Sequence, residues 1–104
     1  MVLLEFSIAP LEKGESVSGY VTRSLEIIDQ SGLDYRLHAM GTIVEGNLDE
    51  VLAVFKKCFE AMSADCDRVT CSAKLDFRKG HSGRLASKVE SVEEKLGKKL
   101  KTVE

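Results

Sequence analysis

Lys74, Asp76 and Arg78 stand at alternate positions in the stretch KLDFR, and a single carboxylate, Glu45, closes GTIVEG just before a helical pattern begins. Alternation places the first three on one face of a strand, where both cations can hold Asp76. Such a set is either a surface ion-pair ladder, worth at most about 1 kcal/mol per pair, or the polar wall of a ligand site. Glu45 divides the same way. A carboxylate beside the N-terminus of the following helix gains roughly 0.3 to 1 kcal/mol, whereas in a site it would face a cationic or N–H-bearing ligand. Thr42, in the same segment, can satisfy a neighbouring backbone group or a ligand. Local reasoning alone favours the structural role for Glu45 and for the ladder.

Other reactive residue types are sparsely arranged. Arg78, Lys79, His81 and Arg84 lie in RKGHSGR, a basic, glycine-containing loop opening a helix. Helix N-termini attract phosphate, yet this run is neither a Walker A loop nor G-x-G-x-x-G. His38 and His81 lack partners at metal-ligand spacing, and Cys58, Cys66 and Cys71 form no C-x-x-C, so neither a metal site nor a disulfide framework is expected. No serine sits in a nucleophile elbow, and nothing demands catalysis. Free cysteines point to a reducing cytosol. The opening MVLLEFSIAPLE has no basic n-region and too short an apolar run for a signal peptide or a membrane span. A net charge of −2 gives no overall attraction for nucleic acid or anionic membranes, so any polyanion site must be local.

The elements that must position these residues follow from periodicity. Val2 to Ala9 alternates and stops at Pro10, giving a strand, β1. Ser16 can cap a helix, α1, with Val17, Tyr20, Val21, Leu25 and Ile28 at helical spacing and an end at Ser-Gly-Leu, 31–33. Asp34 to Ala39 and Gly41 to Glu45 read as a hairpin, β2 and β3, with a tight connection near Met40-Gly41. Asn47 with Glu50 resembles a capping box, and Leu48, Val51, Leu52, Phe55, Phe59 and Met62 make one apolar stripe, α2. Asp67 to Arg78 alternates as β4, and Leu85, Val89, Val92 and Leu96 mark a C-terminal helix, α3.

The order β-α-β-β-α-β, followed by the extra helix, predicts a single α+β domain over 1–104. It is ferredoxin-like, a four-stranded antiparallel sheet with helices on one face. The other face would then carry Glu5, Ser7, Arg36, His38 and the polar residues of β4. At 104 residues, with 43% hydrophobic and 31% charged, the chain folds but builds a modest core. Oligomerisation that buries the uncovered face is as reasonable as leaving it solvated.

The run SIAPL after the first strand, YVTRSLEIIDQSGLDYRLHAMGTIVEG through the first helix and hairpin, and KLDFRKG at the end of the fourth strand carry a resemblance across nearly the whole chain. S-G-L, then G-T-x-x-E-G, then K-x-D-x-R, in this order and spacing, resembles the small thiamine-binding protein family. The resemblance implies dimers or tetramers of ferredoxin-like domains that bind thiamine or its aminopyrimidine portion without turnover and without a further cofactor. The matching positions are Ser7, Gly41, Thr42, Glu45, Gly46, Lys74, Asp76 and Arg78. Phe77 departs from the aliphatic or polar residue expected between Asp76 and Arg78.

Thiamine carries a permanent positive charge and donor and acceptor edges on a flat ring, so a site needs a carboxylate, hydroxyls and an apolar wall. Glu45 or Asp76 would supply the first, Ser7 and Thr42 the second, and Phe6, Tyr35 or Phe77 the third, with His38, Lys74 and Arg78 as further contacts. Free thiamine has no phosphate, so the basic loop is optional for it. Two other readings stay open. An oligomerisation domain with a structural or regulatory role, binding another small molecule or none, fits the periodicity equally. An RNA-binding module would stack bases on exposed sheet aromatics, and β4 offers Thr, Ser, Lys, Asp and Arg there instead.

Overall fold

A computed structural model describes residues 1–11 and 18–102. Its elements are β1 (Val2–Pro10), α1 (Ser18–Gln30), β2 (Asp34–His38), β3 (Gly41–Gly46), α2 (Leu48–Ser63), β4 (Val69–Phe77) and α3 (Arg84–Leu96). The expected cap at Ser16 and the position of Val17 lie outside the described residues. Pro10 does not stop β1 but is its last residue, opposite Val69 of β4. The four strands run in the order β2-β3-β1-β4, every neighbouring pair antiparallel, which is the ferredoxin-like arrangement.

Register decides what each face carries. Leu4 pairs with Val44 on one side and Leu75 on the other, so Val2, Leu4, Phe6 and Ile8 share a face with Val44, Thr42 and the apolar residues of β4. Helices α1 and α2 pack there, burying Ile28, Val51, Val54, Cys58 and Met62 against β1 and β3. The opposite face carries Glu5, Ser7, Glu45, Lys74, Asp76 and His38. That face is not left without helices, as the sequence pattern suggested. Helix α3 lies over its Glu45 end, because Arg84 bonds both Glu45 and Asp76.

Helix α2 starts at the capping box expected of it: Asn47 Oδ1 accepts from Glu50 N at 2.9 Å and Glu50 Oε1 accepts from Asn47 N at 3.1 Å. Its apolar stripe is two stripes. The core takes Val51, Val54, Cys58 and Met62, while Leu48, Leu52 and Phe59 stay 48%, 41% and 41% exposed. Arg23 of α1 bonds Ala61 O on α2 and Asp65 just past its end, and Cys58 Sγ donates to Ser24 O, so α1 lies along one flank of α2. The exposed stripe occupies the opposite flank.

The hairpin turns through Ala39-Met40, with His38 opposite Gly41. What Gly41 provides is room: a Cβ there would sit 2.8 Å from Phe6 O, backbone that cannot swing aside. The glycine therefore lets β3 close onto β1. Gly41→Ala should lower the unfolding free energy by roughly 1 to 3 kcal/mol. Urea unfolding followed by circular dichroism reads this directly, and an unchanged midpoint would show that the hairpin shifts freely.

Candidate functional site

At the hairpin end of the sheet the C-terminal half of β1, the middle of α1 and the turn between β2 and β3 enclose a cleft of about 230 Å³. Phe6, Leu25 and Ile28 give it apolar walls, and Ser24 and Thr42, both buried, bring hydroxyls inside. Phe6 is itself braced by Phe55, ring edge to face at 5.2 Å. Ser7 and His38 also line the cleft. His38 Nδ1 accepts from Met40 N at 3.2 Å, which places its proton on Nε2 in the neutral ring. That buried Nε2 lies 3.2 Å from Glu5 Oε2, on the sheet face away from the helices, without an aligned hydrogen bond. Cys58, behind Ser24, is no nucleophile at neutral pH, since burial pushes its thiol up to about 11.

Thus Phe6 and Thr42 border the cleft from the helix side of the sheet and Ser7 and His38 from its other face, and the remaining expected contacts do not join them. Glu45 and Asp76 flank Leu3 on β1, four residues and about 13 Å along the strand from Ser7. Glu45 is 6% exposed, and its Oε2 accepts the Arg84 backbone N–H at 2.8 Å. The helix start it serves is that of α3, not α2. Asp76 accepts from Arg84 at 2.9 Å and from Lys88 at 3.3 Å, while Lys74 stands opposite Glu5 and Arg78 follows the end of β4. The ladder of alternate charges is therefore replaced by a clamp from α3. Tyr35 donates to Asp29 at 2.8 Å, and Phe77 is 65% exposed at the sheet edge; neither lines the cleft. Sequence reasoning missed Ser24, Leu25 and Glu5. For Ser24 a signal existed: with Val21, Leu25 and Ile28 it shares one face of α1 as the polar member of an apolar stripe. Among the described residues no group of three or more His, Cys, Asp or Glu could hold a metal.

The Arg84 hydrogen bond first, then that of Lys88, holds the Asp76 carboxyl below its ordinary value of 3.8. A carboxyl depressed in the folded state stabilises the fold in full above its unfolded value, and that contribution fades as pH falls through the folded one. Asp76→Asn should therefore be less stable than the parent chain at neutral pH, with the difference shrinking as pH drops below 3.8. Urea unfolding across the acid range tests this, and a difference constant down to the acid limit would refute the clamp.

Comparisons with known proteins agree with this architecture. A UPF0045 protein of Methanocaldococcus jannaschii is 41% identical over 93 residues, covering 89% of this chain and 93% of its own. A UPF0045 protein of Mycobacterium tuberculosis is 38% identical over 96 residues, covering 91% and 94%. The crystal structure of the Methanocaldococcus protein superposes with a TM-score of 0.82 over 89% of this chain and 96% of that one. The sequence model of the thiamine-binding protein family matches residues 4–93, and the chain belongs to that family.

Proposed function

We propose that this protein binds thiamine, or its aminopyrimidine portion, in the cleft at the hairpin end and does so without turnover. The observation that carries this reading is the cleft's composition: flat apolar walls from Phe6, Leu25 and Ile28 with Ser24 and Thr42 hydroxyls buried among them. A heteroaromatic cation needs that combination of wall and polar edge. Glu5, 3.2 Å from the cleft-lining His38, is the carboxylate this reading assigns to the thiazolium charge. In this reading Ser7, His38 and Thr42 contact the ligand, Lys74 stands beside Glu5, and Glu45, Asp76 and Arg78 serve the α3 side of the sheet.

The protein works as a homo-oligomer, a dimer or a tetramer built from it, with β4 as the contact. That strand is a nine-residue sheet edge without proline, and such an edge is an aggregation hazard unless something covers it. Its helix-side residues include Leu75 and Phe77, 48% and 65% exposed. Helix α2 crosses from β3 to β4, so its exposed flank of Leu48, Leu52 and Phe59 borders the same region. A second copy pairing β4 to β4 would extend the sheet and cover both.

Isothermal titration of thiamine should give one site per chain. Thr42→Val, which keeps shape and removes a hydroxyl, should weaken binding roughly 2- to 12-fold, the worth of one neutral hydrogen bond. Glu45→Gln should cost about 1 kcal/mol of stability and leave affinity unchanged. An equal affinity loss in Glu45→Gln would move the site to the α3 face. Neither heat nor a melting shift at millimolar thiamine would end the thiamine reading and favour an oligomerisation domain with another ligand. In sedimentation equilibrium the mass should be a multiple of 11.5 kDa, and Phe77→Lys should shift it toward the monomer. A parent chain that is monomeric at micromolar concentration would remove β4 as an interface.

A further inference from the structure

At the other end of the sheet, the loop after β4 and the first turns of α3 enclose a second concavity of about 370 Å³. Helix α3 lines it with Arg84, Ser87, Lys88 and Ser91, spaced i, i+3, i+4 and i+7, one stripe of the helix. Arg78 and His81 line it from the loop. Gly80 and Gly83 hold φ of 77° and 67°, a left-handed conformation that costs glycine little, and His81 N donates to Arg78 O across the turn that contains Gly80.

The charges do not balance. Arg78, Arg84 and Lys88 bring three positive charges; Asp76 bonds Arg84 and Lys88, and the Glu45 carboxylate meets the Arg84 backbone, so the excess is one and neither carboxylate touches Arg78. The Arg84 side chain is only 8% exposed, so its charge is poorly screened by water. Asp76 takes two hydrogen bonds from it, from among a guanidinium's five N–H donors. Among the described residues, the side chains of Arg78 and His81 have no ion-pair or hydrogen-bond partner. A phosphate monoester, with a charge of about −1.5 to −2 at neutral pH, would take up that excess and give Arg78 a partner. Its oxygens suit guanidinium forks and the hydroxyls of Ser87 and Ser91.

We propose that this concavity is an anion site that takes the phosphate group of a small phosphorylated molecule. Side chains hold the anion, since the first backbone N–H of α3 already serves Glu45. The absence of Phe, Tyr and Trp from its lining and the overall charge of −2 favour a small molecule over a nucleic-acid strand. The site lies at the far end of the sheet from the thiamine cleft and stands or falls independently of it.

The test is calorimetric titration of the full chain with inorganic phosphate, pyrophosphate and glycerol phosphate at fixed ionic strength, with an oligouridylate as a fourth probe. One saturable phosphate site per chain is expected. Arg78→Ala and Lys88→Ala should each weaken it roughly tenfold, with the circular dichroism spectrum retained. Lys56→Ala, which removes an exposed charge from α2, should leave it unchanged. Tighter binding of glycerol phosphate than of inorganic phosphate would identify an organic ligand, and the reverse a free anion; either supports the site. No saturation with any phosphate probe by about 10 mM, or an equal loss in Lys56→Ala, would overturn it. So would binding confined to the oligouridylate.

Discussion

The buried carboxylate of Glu45, accepting the backbone N–H of Arg84, divides the molecule into its working regions. A charged oxygen that is nearly solvent-free requires a partner, and here the partner comes from thirty-nine residues later in the chain. The bond pins the start of α3 to β3, while Arg84 reaches on to Asp76 and ties the same helix turn to β4. One end of the polar sheet face is thereby roofed. The other end, where Glu5, Lys74 and His38 meet, is left beside the cleft at the hairpin.

How far this was legible in the sequence depends on the range of the interaction. The capping box of α2 and the alternation of β4 are local, and both appear as the pattern of residues requires. The apolar stripe of α2 is local too, yet it was misjudged. Leu48, Leu52, Phe55 and Phe59 satisfy helical spacing as well as Val51, Val54, Cys58 and Met62 do, and the two sets differ by less than a quarter turn of the helix. Only the sheet beneath decides which set is buried. Glu45 shows the same boundary: the sequence marks a carboxylate beside a helix start but does not say which helix will come to it.

Among candidate ligand contacts, the G-T-x-x-E-G motif unites residues with different duties. Because side chains alternate across a strand, Thr42 points to the helix side and Glu45, three residues on, to the other face. A motif read as one site is, in the folded chain, the seam between two. The glycine that begins it lets the hairpin approach Phe6, a wall of the cleft, and the glutamate that ends it anchors α3.

The cleft's limits follow from its surroundings. Its polar groups are hydroxyls on a helix and a strand, fixed by the packing around them, and the nearby Cys58 thiol points to the Ser24 carbonyl. With the Cys58 thiol held protonated by burial and His38 oriented by Met40 N, the cleft offers hydrogen bonds in fixed directions. Fixed donors and acceptors against an apolar wall recognise a ring by its edge.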